Sequence, residues 1–183
     1  MFISDSSTLE TFCAQLAGAP YIACDTEFVR ERTYFAQLAL IQVAYGDKAA
    51  AIDPLAPGMD LSPLKALMLN QDIVKVFHAG TEDLELLLQH FDALPTPIYD
   101  TQVATAFCAA DAQIGYARLV KNRLNIELDK ASQRTDWARR PLSERQLDYA
   151  LADVTHLCTL YEGLRVDLEE RNRSDWVAEE MQT

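Results

Sequence analysis

Residues Tyr21 to Phe35 read YIACDTEFVRERTYF. The opening half is an apolar run of the buried-strand type, yet it leads straight into two acids, Asp25 and Glu27. Side chains two apart on a strand share a face, so both carboxylates project together near the strand's end. A buried carboxylate is costly unless something pairs with it. Two of them about 4 Å apart repel by roughly 4 kcal/mol at an effective dielectric near 20. The stretch therefore demands a partner from elsewhere in the chain.

Outward from it, LALIQVAY (Leu38 to Tyr45) reads as a second strand and AAAI (Ala49 to Ile52) as a short third. The brief GDK turn between them requires an antiparallel pair. DPLAPG breaks the pattern, and Pro63 stands where it can open the helix PLKALML. IVKVFHAG is a fourth strand, followed at once by the helix TEDLELLLQHF, with Leu84, Leu87 and Leu88 at helical spacing and Thr81 as N-cap. PIYDT gives a last short strand running into the helix QVATAFCAA. The longest helix begins within PLSERQLDYALADVTHLCTLYEGL, where Ser143 is the N-cap. Strands alternating with helices after an antiparallel start specify an α/β fold, a mixed sheet with helices on both faces.

The chain of 183 residues fits one domain. Its net charge of −12, taken alone, argues against nucleic-acid binding. Net charge governs solubility and steering, however, not what a local site holds, and bound divalent metal would neutralise several of these acids. Apolar stretches are broken by charges before membrane-spanning length, and no basic-then-apolar leader opens the sequence. Cys13, Cys24, Cys108 and Cys158 form no C-x-x-C pair. The expectation is buried free thiols in a reducing cytoplasm.

Partners for Asp25 and Glu27 come from two places. Tyr149 and Asp153 are four apart and stack on one helix face. Asp83 sits in the first turn of its helix, where a negative charge complements the dipole and the side chain can face the end of the sheet. Each alone has an ordinary explanation: a turn acid, a helix-start acid, an exposed helix face. Together they are four carboxylates and a phenol. Oxygen ligands of this kind suit Mg²⁺ or Mn²⁺ better than zinc, and two such ions about 3.5–4 Å apart serve phosphodiester cleavage.

DTEF, HAGTEDLE and YALADV, in this order, resemble the three motifs of the DEDD superfamily of 3′–5′ exonucleases, and Tyr149 fits the tyrosine-bearing DEDDy branch. DTEFVRERTYFAQLALIQVA and LDKASQRTDWARRPLSERQLDYALADV narrow the resemblance to the ribonuclease D family, over about Tyr21 to Leu164. The resemblance implies a ribonuclease H-like fold with a five-stranded mixed sheet. It also implies stepwise hydrolysis of single-stranded RNA from the 3′ end, releasing 5′-monophosphates, with tRNA or other stable RNA precursors as substrates.

Carried over, Asp25, Glu27 and Asp153 hold one metal, Asp25 bridges to a second, and Asp83 supports that ion. Tyr149 orients the attacking water, since a phenol of pKa near 10 is a poor base at neutral pH. Phe28 stacks on the terminal nucleotide or belongs to the core. His78 contacts the RNA backbone or caps the sheet. Lys130 approaches the substrate phosphate, with Arg134 nearby, while His90 and His156 read as surface or packing residues. The expected organisation is an exonuclease domain over 1–168 and a polar tail or linker start over 169–183, without the HRDC-type helical domains that follow in this family. Two alternatives are a short DEDDy oligoribonuclease acting on di- to penta-nucleotides and a catalytically silent nucleic-acid-binding module. The presence of all five motif residues counts against the second.

Overall fold

Strand β2 (Tyr21–Val29) is covered on both faces, which is why its first half is apolar at every position. The computed structural model describes residues 1–30, 36–108, 113–129 and 135–181. Around β2 lie β1 (Phe2–Ile3), β3 (Gln37–Tyr45), β4 (Lys48–Ile52), β5 (Val74–Phe77) and β6 (Ile98–Asp100), in the order β1-β4-β3-β2-β5-β6. The β2–β3 and β3–β4 pairs are antiparallel and the other three pairings parallel. Gly46, at φ +60, supplies the left-handed residue of the tight β3–β4 turn.

Helices α1 (Ser6–Leu16), α2 (Ser62–Leu69) and α3 (Thr81–Phe91) cover one face. There Leu9, Phe12, Leu64, Met68, Leu86 and Phe91 pack with Ile22, Cys24, Ile41 and Val43 in one cluster. The other face carries α6 (Glu144–Glu170), 27 residues long and so spanning roughly 40 Å. Its Val154, Leu157, Cys158 and Tyr161 pack on Tyr21, Ala23, Ala44 and Val76. Alternation along β2 thus sends Tyr21, Ala23 and the acids toward α6, and Ile22 and Cys24 toward α1–α3. Helices α4 (Thr101–Cys108), α5 (Tyr116–Leu124) and α7 (Ser174–Glu180) complete the described elements.

Three expectations are corrected. The sheet has six strands rather than five, because Phe2–Ile3 adds to the edge parallel to β4; two residues are too few to show a period. Thr81 is the first residue of α3, not its cap, and Gly80 holds the cap position without a side-chain bond. Cys108 is only half-buried, unlike the other three free cysteines. The Ser143 cap is present as a full capping box with Gln146. α6 runs to Glu170, and α7 buries Val177 against Ala104, Leu164 and Leu168.

The run into α6 is fixed by one ion pair. The Arg140 guanidinium donates to both carboxylate oxygens of Asp53 (2.7 and 2.6 Å) and to the carbonyls of Trp137 and Ala39. Asp53 is buried, whereas Arg140 keeps some solvent contact. Removing one partner of a desolvated pair strands the other. Asp53→Ala is accordingly expected to lower unfolding stability by about 2–5 kcal/mol. A urea midpoint that falls with unchanged slope is the expected reading; an unmoved midpoint contradicts it.

Candidate active site

Asp25 and Glu27 stand on the α6 face near the end of β2, and Asp153 is presented to them by α6 itself. One carboxylate oxygen from each of the three lies within 4.8 Å of the others. Asp153 is buried, and its Oδ1 has no hydrogen-bond partner among the described residues. An oxygen-only set with an orphaned carboxylate oxygen fits a hard divalent cation. One turn before Asp153, the Tyr149 phenol lies beside its carboxylate.

The fourth acid arrives from the opposite layer. Thr26, between the two acids of the motif, points to the other face, where its hydroxyl donates to Asp83 Oδ1 at 2.5 Å. Asp83 is held at the first turn of α3 and acts electrostatically on Asp25 and Glu27 round the end of the sheet. The four carboxylates thus converge with three on one side of β2 and one on the other.

The electrostatics follow from burial and mutual repulsion. Burial, then Asp83, Asp153 and Glu27, hold the Asp25 carboxyl far above the ordinary carboxylate range. Glu27 is pushed up to about 9 by burial and then by Asp153 and Asp83. Burial raises Asp153 to about 7 and Asp83 to about 6. Without a cation the cluster retains protons near neutral pH. Burial, followed by Asp153 and Glu27, also raises the Tyr149 phenol above its usual value, so it stays protonated.

A cleft of about 430 Å³ opens on the α6 side, lined by Asp25, Glu27, His78, Tyr116, Arg118, Tyr149 and Asp153 among others. His78 is in it, but both ring nitrogens are used within the protein. Nε2 lies 3.0 Å from the Ile114 carbonyl and Nδ1 3.0 Å from the Thr101 hydroxyl. A carbonyl only accepts, so Nε2 carries the proton, and burial keeps the ring toward its neutral form. Phe28 is not in this cleft. It packs on the α1–α3 side and lines a second cavity of about 410 Å³ with Arg30, Ala36, Glu82, Glu85, Leu86 and Gln89. Lys130 and Arg134 lie outside the described residues.

Sequence reasoning passed over Thr26, although its odd position between the two acids already assigns it to the other face. It also passed over Tyr116, whose phenol donates to the Asp153 carbonyl and whose ring lies 5.2 Å from His78. No periodic signal marks that residue. Gln42 pairs with Asp25 in the β2–β3 register, and its fully buried amide has no partner among the described residues.

The 3′-5′ exonuclease family model matches residues 1–169. A ribonuclease D of Zymomonas mobilis is 51% identical over 181 residues, 98% of this chain and 46% of that relative's length. The fold superposes on the crystal structure of Escherichia coli RNase D, an exoribonuclease involved in structured RNA processing. That match has a TM-score of 0.95 and 43% identity, covering 100% of this chain and 48% of that one. It also superposes on Brucella melitensis NrnC bound to pGG, with a TM-score of 0.84, 27% identity and coverage of 99% and 86%. The chain spans less than half the length of the curated relatives it matches. Among the described residues no helix is long and apolar enough to cross a membrane.

Carboxylates whose folded pKa values are raised bind protons that the unfolded chain releases. Their contribution is intact below about pH 4 and is lost as pH rises through about 6, 7 and 9, the values of Asp83, Asp153 and Glu27. In EDTA the melting temperature is expected to fall between pH 5 and pH 9, and saturating Mg²⁺ to flatten that fall, with the larger gain at high pH. Asp153→Asn should raise the EDTA melting temperature at pH 8. A pH-independent EDTA profile would show that the acids do not repel.

Proposed function

The chain belongs to the ribonuclease D family of 3′–5′ exonucleases, and on that premise we propose that it hydrolyses RNA from the 3′ end, one nucleotide at a time, using two divalent ions. The observation that carries this is the convergence of Asp25, Glu27 and Asp153 within 4.8 Å, with Asp83 brought to the same strand end by Thr26. In this reading Asp25, Glu27 and Asp153 would hold one ion, and Asp25 together with Asp83 would hold the second. The ions are Mg²⁺ or Mn²⁺, since every donor is a carboxylate oxygen. What bound divalent ions supply is acidified water at neutral pH and neutralised charge on the attacking and leaving oxygens.

The chain's own residues do the rest. Asp25, Glu27 and Asp153 must give up the protons they hold in the cation-free state, so activity rises with pH as they do so. Tyr149 keeps its proton and therefore orients the attacking water as a hydrogen-bond donor. Tyr116 fixes the helix turn bearing Asp153 through the Asp153 carbonyl. Lys130 is assigned to RNA contact, whereas Phe28, outside the cleft and packed on the α1–α3 side, takes the alternative core role. His78, with its nitrogens engaged, offers the strand only its ring.

The substrate class is single-stranded RNA 3′ ends, including tRNA and other stable RNA precursors, in the cytoplasm. The exonuclease domain is assigned to 1–168. NrnC holds pGG on a similar fold, which makes substrate length the discriminating variable. Faster turnover of a dinucleotide than of a tRNA precursor would favour the short-oligonucleotide alternative.

Asp153→Asn is expected to abolish Mn²⁺-dependent trimming of 5′-labelled single-stranded RNA while the circular dichroism spectrum is retained; unchanged trimming would overturn the mechanism. Tyr149→Phe removes one hydroxyl and the hold on the water. It should lower kcat by roughly 100-fold with little change in KM and no change in the shape of the pH–rate profile. Loss of a pH limb in that variant would instead identify the phenol as the base.

A further inference from the structure

Asp100 ends β6, and nothing in the proposed chemistry uses it. Its carboxylate nevertheless collects four backbone N–H groups from two segments. Oδ1 accepts from Ala79 (3.0 Å), Gln102 (2.7 Å) and Val103 (3.4 Å), and Oδ2 accepts from Gly80 (2.9 Å). The neighbouring Thr101 hydroxyl lies 3.1 Å from the Phe77 carbonyl and 3.0 Å from His78 Nδ1, and its single proton is shared between these two acceptors. Two adjacent side chains, at the end of β6 and the start of α4, thus reach the main chain of residues 77–80.

That stretch of main chain needs holding. Ala79 has φ +52, the left-handed region that a non-glycine residue rarely adopts. At Gly80 an added Cβ would stand 2.6 Å from Phe77 Cβ, so the chain there passes as closely as it can. The turn then becomes α3 directly, with the Leu84 N–H bonded to the Gly80 carbonyl and no side-chain cap of its own. Asp83 is three residues beyond Gly80, in the first turn. Any rotation of the turn swings the one carboxylate that approaches the site from the far layer.

We infer that Asp100 is a positioning residue for Asp83: by clamping the Ala79–Gly80 turn it sets where the Asp83 carboxylate stands relative to Asp25. The inference deepens the two-ion reading and rests on it. Thr26 orients Asp83 at its carboxylate end, and Asp100 orients it at its backbone end. Supports of this kind, one bond removed from a ligand, typically change metal affinity or activity by roughly 10–100-fold.

Asp100→Asn tests this, since it keeps the size of the side chain but sets an amide NH₂ against N–H donors. Ala79→Gly accepts the left-handed turn without strain. It is introduced alongside in both compared proteins, so that each is measured folded. Mn²⁺ alone is titrated calorimetrically into A79G, A79G/D100N, A79G/D83N and the triple variant, and RNA trimming is followed against Mn²⁺ concentration in the first two. The expected result is a roughly 10-fold or greater loss of Mn²⁺ affinity in A79G/D100N, with KM for RNA unchanged. Adding Asp100→Asn to A79G/D83N should then produce no further loss. An equal loss with and without Asp83, or a lowered melting temperature with Mn²⁺ affinity intact, overturns the inference and makes Asp100 a structural anchor. If A79G itself neither binds Mn²⁺ nor trims RNA while the unsubstituted protein does both, the turn's strain is itself required, and Asp100→Asn is read in the unsubstituted background by the same criteria. If the unsubstituted protein does neither, the exonuclease reading fails, a result distinct from failure of the Asp100 inference.

Discussion

Mutual repulsion among carboxylates at the end of β2 is the constraint around which the fold is arranged. Asp25, Glu27 and Asp153 bring like charges within 4.8 Å in a setting buried enough to hold their protons near neutral pH. Such an arrangement persists only if rigid elements impose it and a cation relieves it. The rigidity is visible. β2 is paired on both sides, α6 is seated on the sheet through Val154, Leu157, Cys158 and Tyr161, and Arg140 ties the entry of α6 to β3 and the end of β4. The positions of the acids are thus set by packing that does not depend on the acids themselves.

The second organising fact is that the site is assembled through the sheet rather than on one side of it. Alternation along Asp25–Thr26–Glu27 sends two acids toward α6 and one hydroxyl toward α3. Thr26 converts that alternation into a link by donating to Asp83. The helix bearing Asp83 is in turn located by a turn with a left-handed alanine and a crowded glycine, held by Asp100 and Thr101. An active centre divided in this way is sensitive to the relative placement of two layers. That sensitivity explains why so many polar side chains near it bond to backbone rather than facing the cleft.

Much of this was legible in the sequence because the signals were periodic. The pairing of Asp25 with Glu27 followed from strand alternation and that of Tyr149 with Asp153 from helical spacing, and Ser143 was legible as the N-cap of the long helix. What escaped was set by tertiary contact. Lys75, a charged residue within the apolar strand β5, is fully buried, its ammonium donating to the carbonyls of Asn70, Ile73 and Thr96. Nothing in PIYDT singles out Asp100, whose four N–H partners belong to two segments, one of them about twenty residues earlier in the chain. Phe28 is instructive in the opposite sense. The alternation that places Glu27 on the α6 face places the next residue on the other, where it packs with the α1–α3 core.

The central claim is that these acids form one site for divalent cations. Anomalous diffraction from crystals grown with Mn²⁺, collected above the manganese edge, addresses it without reference to any substrate. The account predicts anomalous density bounded by Asp25, Glu27 and Asp153, with a second peak between Asp25 and Asp83. Crystals that show no anomalous density beside these residues at saturating Mn²⁺ would contradict it.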